Sequence, residues 1–216
     1  MKKITVITGH YGTGKTNISV NLAMQLAKSG KKVSVVDLDI VNPYFRTADF
    51  EKLFTENNIE LVKSVYANSN LDIPAISFDL ERIASEDGYL IIDVGGDDAG
   101  ALALGRYAEA FEAYRNCFDM FYVINRYRFL TRSADEALEL MYEIEAASRM
   151  KHTGIINNSN LGCETTVETV RASQEFAHSV SEKASLPIVM TACPAEEAQN
   201  AGFEKVTVYV KPLWDL

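Results

Sequence analysis

A glycine-rich segment near the start of the chain constrains the fold more than any other feature of the sequence. Residues 9–16 have the sequence GHYGTGKT and fit the pattern G-x-x-x-x-G-K-[ST] at every fixed position. The apolar run ITVIT precedes the segment, and Ile18, Leu22 and Leu26 recur every fourth residue after it. A strand, such a loop and a helix in this order form a phosphate-binding loop, or P-loop, at a helix N-terminus.

The residue types in this loop have separate roles in holding a nucleotide. Glycines allow successive backbone N–H groups to surround the β-phosphate, the Lys15 ammonium reaches the β and γ oxygens, and the Thr16 hydroxyl binds Mg²⁺. We therefore assign Lys15 a catalytic role as well as a binding role. The residues expected to contact the nucleotide here are Gly9, His10, Tyr11, Gly12, Thr13, Gly14, Lys15, Thr16 and Asn17.

Short apolar runs alternate with longer stretches of helical period along the whole chain. Most of the runs are apolar on both faces, which is typical of strands covered by helices on both sides. This alternation predicts an α/β fold, with a doubly wound, mostly parallel sheet and helices on both faces. The strands are expected at 4–8, 33–37, 89–93, 120–125, 154–157 and 186–191, with 205–210 as a candidate for the last one. The helices are expected from the P-loop to Gly30 and at 102–116, 133–150 and 165–183, while 57–76 has a mixed period.

Length, charge and cysteine spacing limit the class of protein. The 216 residues are 47% hydrophobic and lack a linker-like tract, which predicts one domain over 1–216. The net charge of -9 argues against a surface that neutralises nucleic acid phosphates. No apolar run has the length of a membrane span or a signal peptide. Cys117, Cys163 and Cys193 fit neither a metal pair nor a disulfide set, so we expect idle thiols and a cytoplasmic protein.

Carboxylates end two of the expected strands. In an open α/β sheet, ligands bind beyond the carboxyl ends of the strands, so these side chains should meet the P-loop. Asp93 is the candidate for the Mg²⁺ site, with Asp37 assisting, and Asp39 is the candidate for orienting the attacking water. Gly96 is placed to offer a backbone N–H to the γ-phosphate. A helix cap or a loop salt bridge is the alternative for each carboxylate.

The strand at 154–157 leads into the sequence NNSN. An Asn amide offers both a donor and an acceptor, which suits the edge of an adenine ring. Asn158 is therefore a candidate for contacting the base, although turn formation by the same residues is the competing explanation. No N-K-x-D guanine motif follows, and adenine is preferred for that reason.

Taken in order, the motifs resemble the MinD/ParA-like ATPases of the P-loop class. The correspondence rests on the P-loop and on DLDIVNPYFR, YLIIDVGGDD, GIINNSN and LPIVMTACPAEEAQNAG. The resemblance implies that Asp39 is the catalytic aspartate of switch I, Asp93 the Walker B aspartate and Asn158 the base-recognising asparagine. It also implies that the loop at 193–197, which includes Pro194, closes over the adenine. Members of the family act as ATP-dependent homodimers that bind Mg²⁺ and change protein partners on hydrolysis.

Two residues of the P-loop depart from the pattern of this family. Its members carry a signature lysine that reaches the partner's phosphates, and this chain has His10 there, followed by Tyr11. A neutral imidazole does not supply the fixed charge of a lysine, so hydrolysis should be slow. The other candidates for the missing charge, unless they form a solvated basic face, are Arg46, Arg126, Arg128 and Arg132.

The sequence leaves three functions open. The first is a slow MinD/ParA-like ATPase that couples its nucleotide state to an unidentified protein partner. The second is an ATP-dependent small-molecule enzyme similar to dethiobiotin synthetase, and the third is a switch that binds nucleotide without hydrolysing it. The chain lacks the cysteines of nitrogenase reductase, the CxxC pair of iron–sulfur scaffolds and a basic C-terminal helix for membrane docking.

Overall fold

One sheet of eight parallel strands spans the described part of the chain. The computed structural model describes residues 1–38, 50–62, 88–96 and 98–210. The order of strands is β3-β2-β4-β1-β5-β6-β7-β8, and every pair of neighbours is parallel. The strands are β1 (Ile4–Thr8), β2 (Lys32–Leu38), β3 (Ile59–Val62), β4 (Gly88–Val94), β5 (Phe118–Ile124), β6 (Gly154–Asn157), β7 (Ile188–Cys193) and β8 (Glu204–Lys205).

Helices cover both faces of this sheet. They are α1 (Lys15–Lys28), α2 (Glu51–Glu56), α3 (Asp98–Gly105), α4 (Ala108–Glu112), α5 (Ala134–Ser148), α6 (Val167–Ala172) and α7 (Gln174–Ala184). The predicted fold class, a doubly wound parallel sheet with helices on both faces, is confirmed. Within the described ranges, no helix is both long and apolar enough to cross a membrane.

Alternate residues of the central strands enter different cores. Ile7 and Ile91 pack on the face covered by α1 and α2, with Ile18 and Phe54. Their neighbours Val6 and Ile92 pack on the opposite face with residues of α3 and α4. Because both faces are buried, the strands need apolar side chains at odd and even positions alike. That requirement explains the continuous apolar runs in the sequence.

The order of strands determines which loops surround the P-loop. β1 lies between β4 and β5, and β6 lies beyond β5. The parallel direction places the residues that follow all four strands at the same edge of the sheet. The loops after β4, β5 and β6 therefore flank the P-loop, with β4 on one side and β5 and β6 on the other.

The strand predictions are largely confirmed, with one omission and one error. The strands at 4–8 and 154–157 have the predicted limits, and four others agree to within a few residues. β3 lies within the stretch that had no assigned period. The last strand is only Glu204–Lys205, because the backbone of residues 207–210 bonds to side chains of α1 instead of to a neighbouring strand.

Two of the predicted helices are each divided in two. The stretch 102–116 forms α3 and α4, and the break follows Gly105, where a Cβ would lie 2.7 Å from the Ala147 carbonyl oxygen of α5. The stretch 165–183 divides at Ser173, whose hydroxyl donates to the Val170 carbonyl and accepts a hydrogen bond from the Asn157 amide. Contacts with other elements therefore set both breaks, and the helical period does not reveal such contacts.

The helix predicted at 133–150 is confirmed as α5, with Ser133 as its N-cap. The Ser133 hydroxyl accepts from the Glu136 backbone N–H, and the Glu136 carboxylate accepts from the Ser133 N–H. This capping box satisfies two backbone donors of the first turn. The predicted end of α1 is also confirmed, because Gly30 follows the helix with a φ of 78°.

A buried polar network joins α5 to the last residue of β1. The His152 imidazole lies between the Thr8 hydroxyl, 2.7 Å from Nε2, and the Glu145 carboxylate, 3.1 Å from Nδ1. Glu145 also accepts from the His152 backbone N–H and from the Lys151 ammonium. Because Thr8 directly precedes the P-loop, this network helps to fix the point at which the loop leaves the sheet.

The network favours an ionised Glu145 and a neutral His152. Burial by itself raises the pKa of Glu145, but the hydrogen bonds from His152 and Lys151 outweigh burial and lower the pKa from 4.5 to about 2. Burial lowers the pKa of His152 below its usual value of 6.5, although Glu145 opposes the shift. Both groups therefore bind protons more readily in the unfolded chain than in the folded protein.

We predict that Glu145→Gln lowers the free energy of unfolding at pH 7 by about 1–3 kcal/mol, since buried donors lose a charged acceptor. The contribution of Glu145 to stability is fully present above pH 4.5 and is lost as the pH falls toward about 2. Urea denaturation from pH 7 to pH 2 should therefore show a weaker acid dependence in the variant than in the wild type. The control is Glu139→Gln on the exposed face of the same helix, and equal curves for all three proteins would contradict the prediction.

Candidate functional site

The P-loop joins β1 to α1 through a tight turn. The His10 carbonyl accepts hydrogen bonds from the Thr13 hydroxyl at 2.8 Å, from the Thr13 backbone N–H and from the Lys15 ammonium at 3.2 Å. Gly14 has a φ of 87° and precedes the first helical residue. The strand, loop and helix predicted from the sequence are thus present, and the backbone N–H groups of the first turn of α1 lie at the loop.

The Lys15 side chain is buried within the loop and lies next to Gly96. A Cβ on Gly96 would lie 2.8 Å from the Lys15 Nζ and 2.8 Å from the Tyr11 backbone nitrogen. Gly96 therefore allows the segment after β4 to approach the P-loop more closely than any residue with a side chain would. The two elements that the sequence assigned to the γ-phosphate lie together on the β4 side of the loop.

The second residue of α1 contacts the buried carboxylate at the end of β4. The Thr16 hydroxyl donates to one oxygen of Asp93 at 2.8 Å, and the Ser19 hydroxyl donates to the other at 3.1 Å. Asp37 is also buried, and it lies opposite Asp93 in the register of β2 and β4. The three residues predicted for the metal site, Thr16, Asp37 and Asp93, thus lie at the same end of neighbouring elements.

This arrangement fits Mg²⁺ bound together with a nucleotide. Mg²⁺ prefers oxygen ligands and usually takes only one or two from the protein, with water and phosphate supplying the others. The Thr16 oxygen retains a lone pair while its proton is donated to Asp93, so the hydroxyl can serve as the direct ligand. Within the described residues, no group of three or more His, Cys, Asp or Glu side chains could hold a metal by itself.

Asn158 contacts the P-loop from the β6 side. Its side-chain amide is buried and donates to the Thr13 carbonyl at 2.7 Å. A Cβ on Gly14 would lie 2.3 Å from the Asn158 Nδ2, so only glycine fits between the amide and the loop. The contact with the base remains a prediction, and the structure adds a bond that ties Asn158 to the loop.

Other asparagines in the loops after β5 and β6 stabilise turns. The Asn125 side chain accepts from the backbone N–H groups of Tyr127 and Asn160, and it thereby joins the loops after β5 and β6. The Asn157 side chain accepts from the Ser159 backbone N–H and hydroxyl. Of the NNSN residues, Asn157 and Asn160 thus fulfil the turn-forming role that competed with base recognition, since the Asn160 side chain accepts from the Gly162 backbone N–H.

The structure separates the three arginines that follow β5. Arg128 Nε donates to the Gly12 carbonyl in the P-loop at 2.7 Å. Arg126 donates to the Ala172 carbonyl of α6, and the Arg132 guanidinium lies 5.2 Å from the centre of the Phe129 ring. The sequence does not distinguish these three arginines, because they share a charge and lie close together. The contact of Arg128 with the P-loop depends on how the segment after β5 folds.

His10 is half-buried beside Lys15. Burial, and then the charge of Lys15, lower the pKa of His10 below its usual value of 6.5, although Glu143 opposes the shift. The imidazole is therefore neutral at pH 7. The ring packs edge-on against Tyr11, with 5.8 Å between the ring centres.

Asn17 contacts other parts of the chain, and two predictions fall outside the described ranges. The Asn17 side chain bonds to the backbone of Thr207, Tyr209 and Val210, so it ties α1 to the last described segment. Pro194 is half-buried and follows β7, at the same edge of the sheet as the P-loop. The predictions for Asp39 and Arg46 concern residues that the structure does not describe.

Comparison with solved structures supports the fold. The cell division protein FtsY of Thermotoga maritima has a TM-score of 0.61 and 17% sequence identity, over 89% of this chain and 62% of the FtsY chain. At this identity the likeness shows a shared architecture alone. It agrees with the fold described above.

Curated relatives match shorter segments. An uncharacterized ATP-binding protein of Methanocaldococcus jannaschii is 62% identical over 37 residues, which are 17% of this chain and 14% of that protein. An iron–sulfur cluster carrier protein of Clostridium perfringens is 37% identical over 92 residues, which are 39% of this chain and 32% of that protein. The matched segments thus span less than half of this chain and a third or less of these relatives.

A family profile matches a much longer part of the chain. Residues 4–161 match the CobQ/CobB/MinD/ParA nucleotide binding domain. The matched range extends from β1 through β6 and contains the P-loop, the Asp93 carboxylate and Asn158. These three parts meet at one edge of the sheet, and the chain belongs to the CobQ/CobB/MinD/ParA nucleotide-binding family.

Proposed function

We propose that the chain is a Mg²⁺-dependent ATP-binding protein that hydrolyses ATP slowly and couples its nucleotide state to the binding of a protein partner. The observation that carries the proposal is the contact between Thr16 and the buried Asp93, next to a P-loop that contains Lys15. This combination supplies N–H donors, a cation and a metal site at one point. Phosphoryl transfer requires mainly such positioning and charge stabilisation.

Each part of the site has a chemical task in this proposal. The P-loop N–H groups and Lys15 bind the phosphate oxygens, and the ammonium exchanges its bond with the His10 carbonyl for bonds with them. Thr16 would hold Mg²⁺, and Asp93 orients the Thr16 hydroxyl for that role. When bound, Mg²⁺ neutralises charge on the β- and γ-phosphates. Asp39 is proposed to orient the attacking water.

Slow hydrolysis is proposed because the P-loop has His10 at the position of the family's signature lysine. His10 is neutral at neutral pH, since burial and Lys15 lower its pKa. Arg128 and Asn158 bind the loop from the β5 and β6 side. A switch that binds ATP with negligible hydrolysis is the second candidate function, and the state of His10 favours it as well.

We further propose an ATP-linked homodimer and a protein partner that binds near the loops after β5 and β6. Phe129 is 74% exposed and Leu130 is 48% exposed in the β5 loop, and Leu161 is 46% exposed after β6. Asn125 holds these two loops together, so the apolar side chains lie at the edge that contains the nucleotide site. Apolar side chains grouped in this way are typical of a protein interface.

The first prediction from the proposed function concerns nucleotide affinity. Lys15→Ala should weaken Mg-ATP binding by about 10- to 100-fold, because a charge-assisted bond to phosphate contributes about 1.5–3 kcal/mol. The measurement is isothermal titration calorimetry, and the control is Lys28→Ala, which removes the same charge from the exposed last turn of α1. Unchanged affinity in Lys15→Ala would overturn the proposed binding site.

A second prediction concerns the metal. Thr16→Val should abolish the difference between ATP affinities measured with Mg²⁺ and with EDTA, because valine keeps the shape but offers no oxygen. Thr16→Ser retains the hydroxyl and should preserve the difference. If the valine variant keeps the full Mg²⁺ dependence, then Thr16 and Asp93 do not form the metal site.

A third prediction concerns hydrolysis. His10→Lys should raise the ATP turnover rate by at least about 10-fold, since a positioned charge at the developing anion is worth that much or more in enzymes. Phosphate release, measured together with light scattering, tests both turnover and dimerisation. If His10→Lys turns over ATP no faster than the wild type, then the residue at position 10 does not limit hydrolysis.

A further inference from the structure

We infer that Arg128 binds the nucleoside half of the bound nucleotide, with its planar guanidinium lying against the base and ribose. The inference rests on the proposed nucleotide binding and assigns a new contact residue within that site. Arg128 contacts the nucleoside, whereas Lys15 and Thr16 act on the phosphates and the metal.

The P-loop has two distinguishable sides. Lys15 approaches Gly96 on the β4 side, where Asp93 and Thr16 form the proposed metal site. Arg128 and Asn158 reach the loop from the opposite side, from the ends of β5 and β6. A nucleotide with its terminal phosphates at Lys15 and the metal therefore extends its ribose and base toward β5 and β6.

Arg128 and Asn158 bind consecutive carbonyl groups of the loop. Arg128 Nε donates to Gly12 at 2.7 Å, and Asn158 Nδ2 donates to Thr13 at 2.7 Å. A Cβ on Gly12 would lie 3.2 Å from the central carbon of the guanidinium, so the flat group lies directly against the loop. These contacts place both side chains where the loop borders the nucleoside.

The backbone of Arg128 is held in place before any ligand binds. Its N–H donates to the Asn125 carbonyl, and its own carbonyl accepts from the Thr131 N–H. The buried Thr131 hydroxyl donates to the Asn125 carbonyl as well, and the Tyr127 hydroxyl donates to the Thr169 carbonyl of α6. A ligand contact at Arg128 therefore requires little additional ordering of the chain.

The guanidinium retains donors and a flat face after its bond to the loop. Only Nε of Arg128 is used, and the two terminal nitrogens make no hydrogen bond within the described residues. Guanidinium groups stack on aromatic rings and donate to oxygen at the same time. A purine base with its ribose offers both partners, whereas the terminal phosphates lie on the other side of the loop.

The test compares ligands with and without a nucleoside. Calorimetric titrations with Mg²⁺ should use ATP, ADP and inorganic triphosphate as the three probes. Arg128→Ala should weaken ATP and ADP binding by the same factor, about 10-fold, and triphosphate binding by less than about 2-fold. Arg128→Lys keeps the charge but loses the flat face, and it should bind ATP and ADP nearly as weakly as Arg128→Ala.

A matched control removes the same charge from the same segment. Arg132→Ala should leave all three affinities unchanged, because the Arg132 guanidinium lies over Phe129 and not against the P-loop. Thermal unfolding of each variant verifies that the fold is retained, as expected for the exposed side chain of Arg128.

Three outcomes would overturn the inference. An equal loss for triphosphate would show that Arg128 acts on the phosphates or only shapes the loop. Wild-type affinities in Arg128→Ala would show a solvated side chain, and full recovery by lysine would show that the flat face is not used. Failure of the wild type to bind ATP is a separate result, which would overturn the proposed function itself.

Discussion

The arrangement of the site depends on the hydrogen bonds that the buried Asp93 carboxylate accepts. This carboxylate accepts hydrogen bonds from Thr16 and Ser19, so one side chain at the end of β4 fixes the first two turns of α1. A buried carboxylate requires such partners, because an unpaired charge in the interior is costly. The position of α1 then sets the position of the P-loop, and the same carboxylate holds the hydroxyl of Thr16, the proposed metal ligand.

The P-loop is supported from both sides by residues of other strands. Lys15 and Gly96 meet on the β4 side, while Arg128 and Asn158 bind the Gly12 and Thr13 carbonyls on the other. Behind the loop, the His152 network holds Thr8. This support reduces the ordering that a ligand must impose, and it separates a phosphate side from a nucleoside side within one short loop.

Local patterns identified most of the sheet, since a strand buried on both faces must be apolar throughout. They did not identify β3, which lies within the stretch of mixed period at 57–76. The breaks at Gly105 and Ser173 were also missed, because contacts with α5 and β6 cause them. Asn17 follows the P-loop threonine in sequence, and only the fold shows that its amide binds the backbone at 207–210.

The sequence by itself determined the fold class, the P-loop, and the roles proposed for Lys15, Thr16 and Asp93. These features depend on residues that are close in the chain or on strand ends, and any parallel sheet brings strand ends to one edge. The tertiary structure decided which arginine contacts the loop and which asparagine meets it. Arg126, Arg128 and Arg132 have the same charge and lie close together in the chain, so only the path of the segment after β5 distinguishes them. That path depends on bonds to α6 and to the β6 loop, which are distant in sequence.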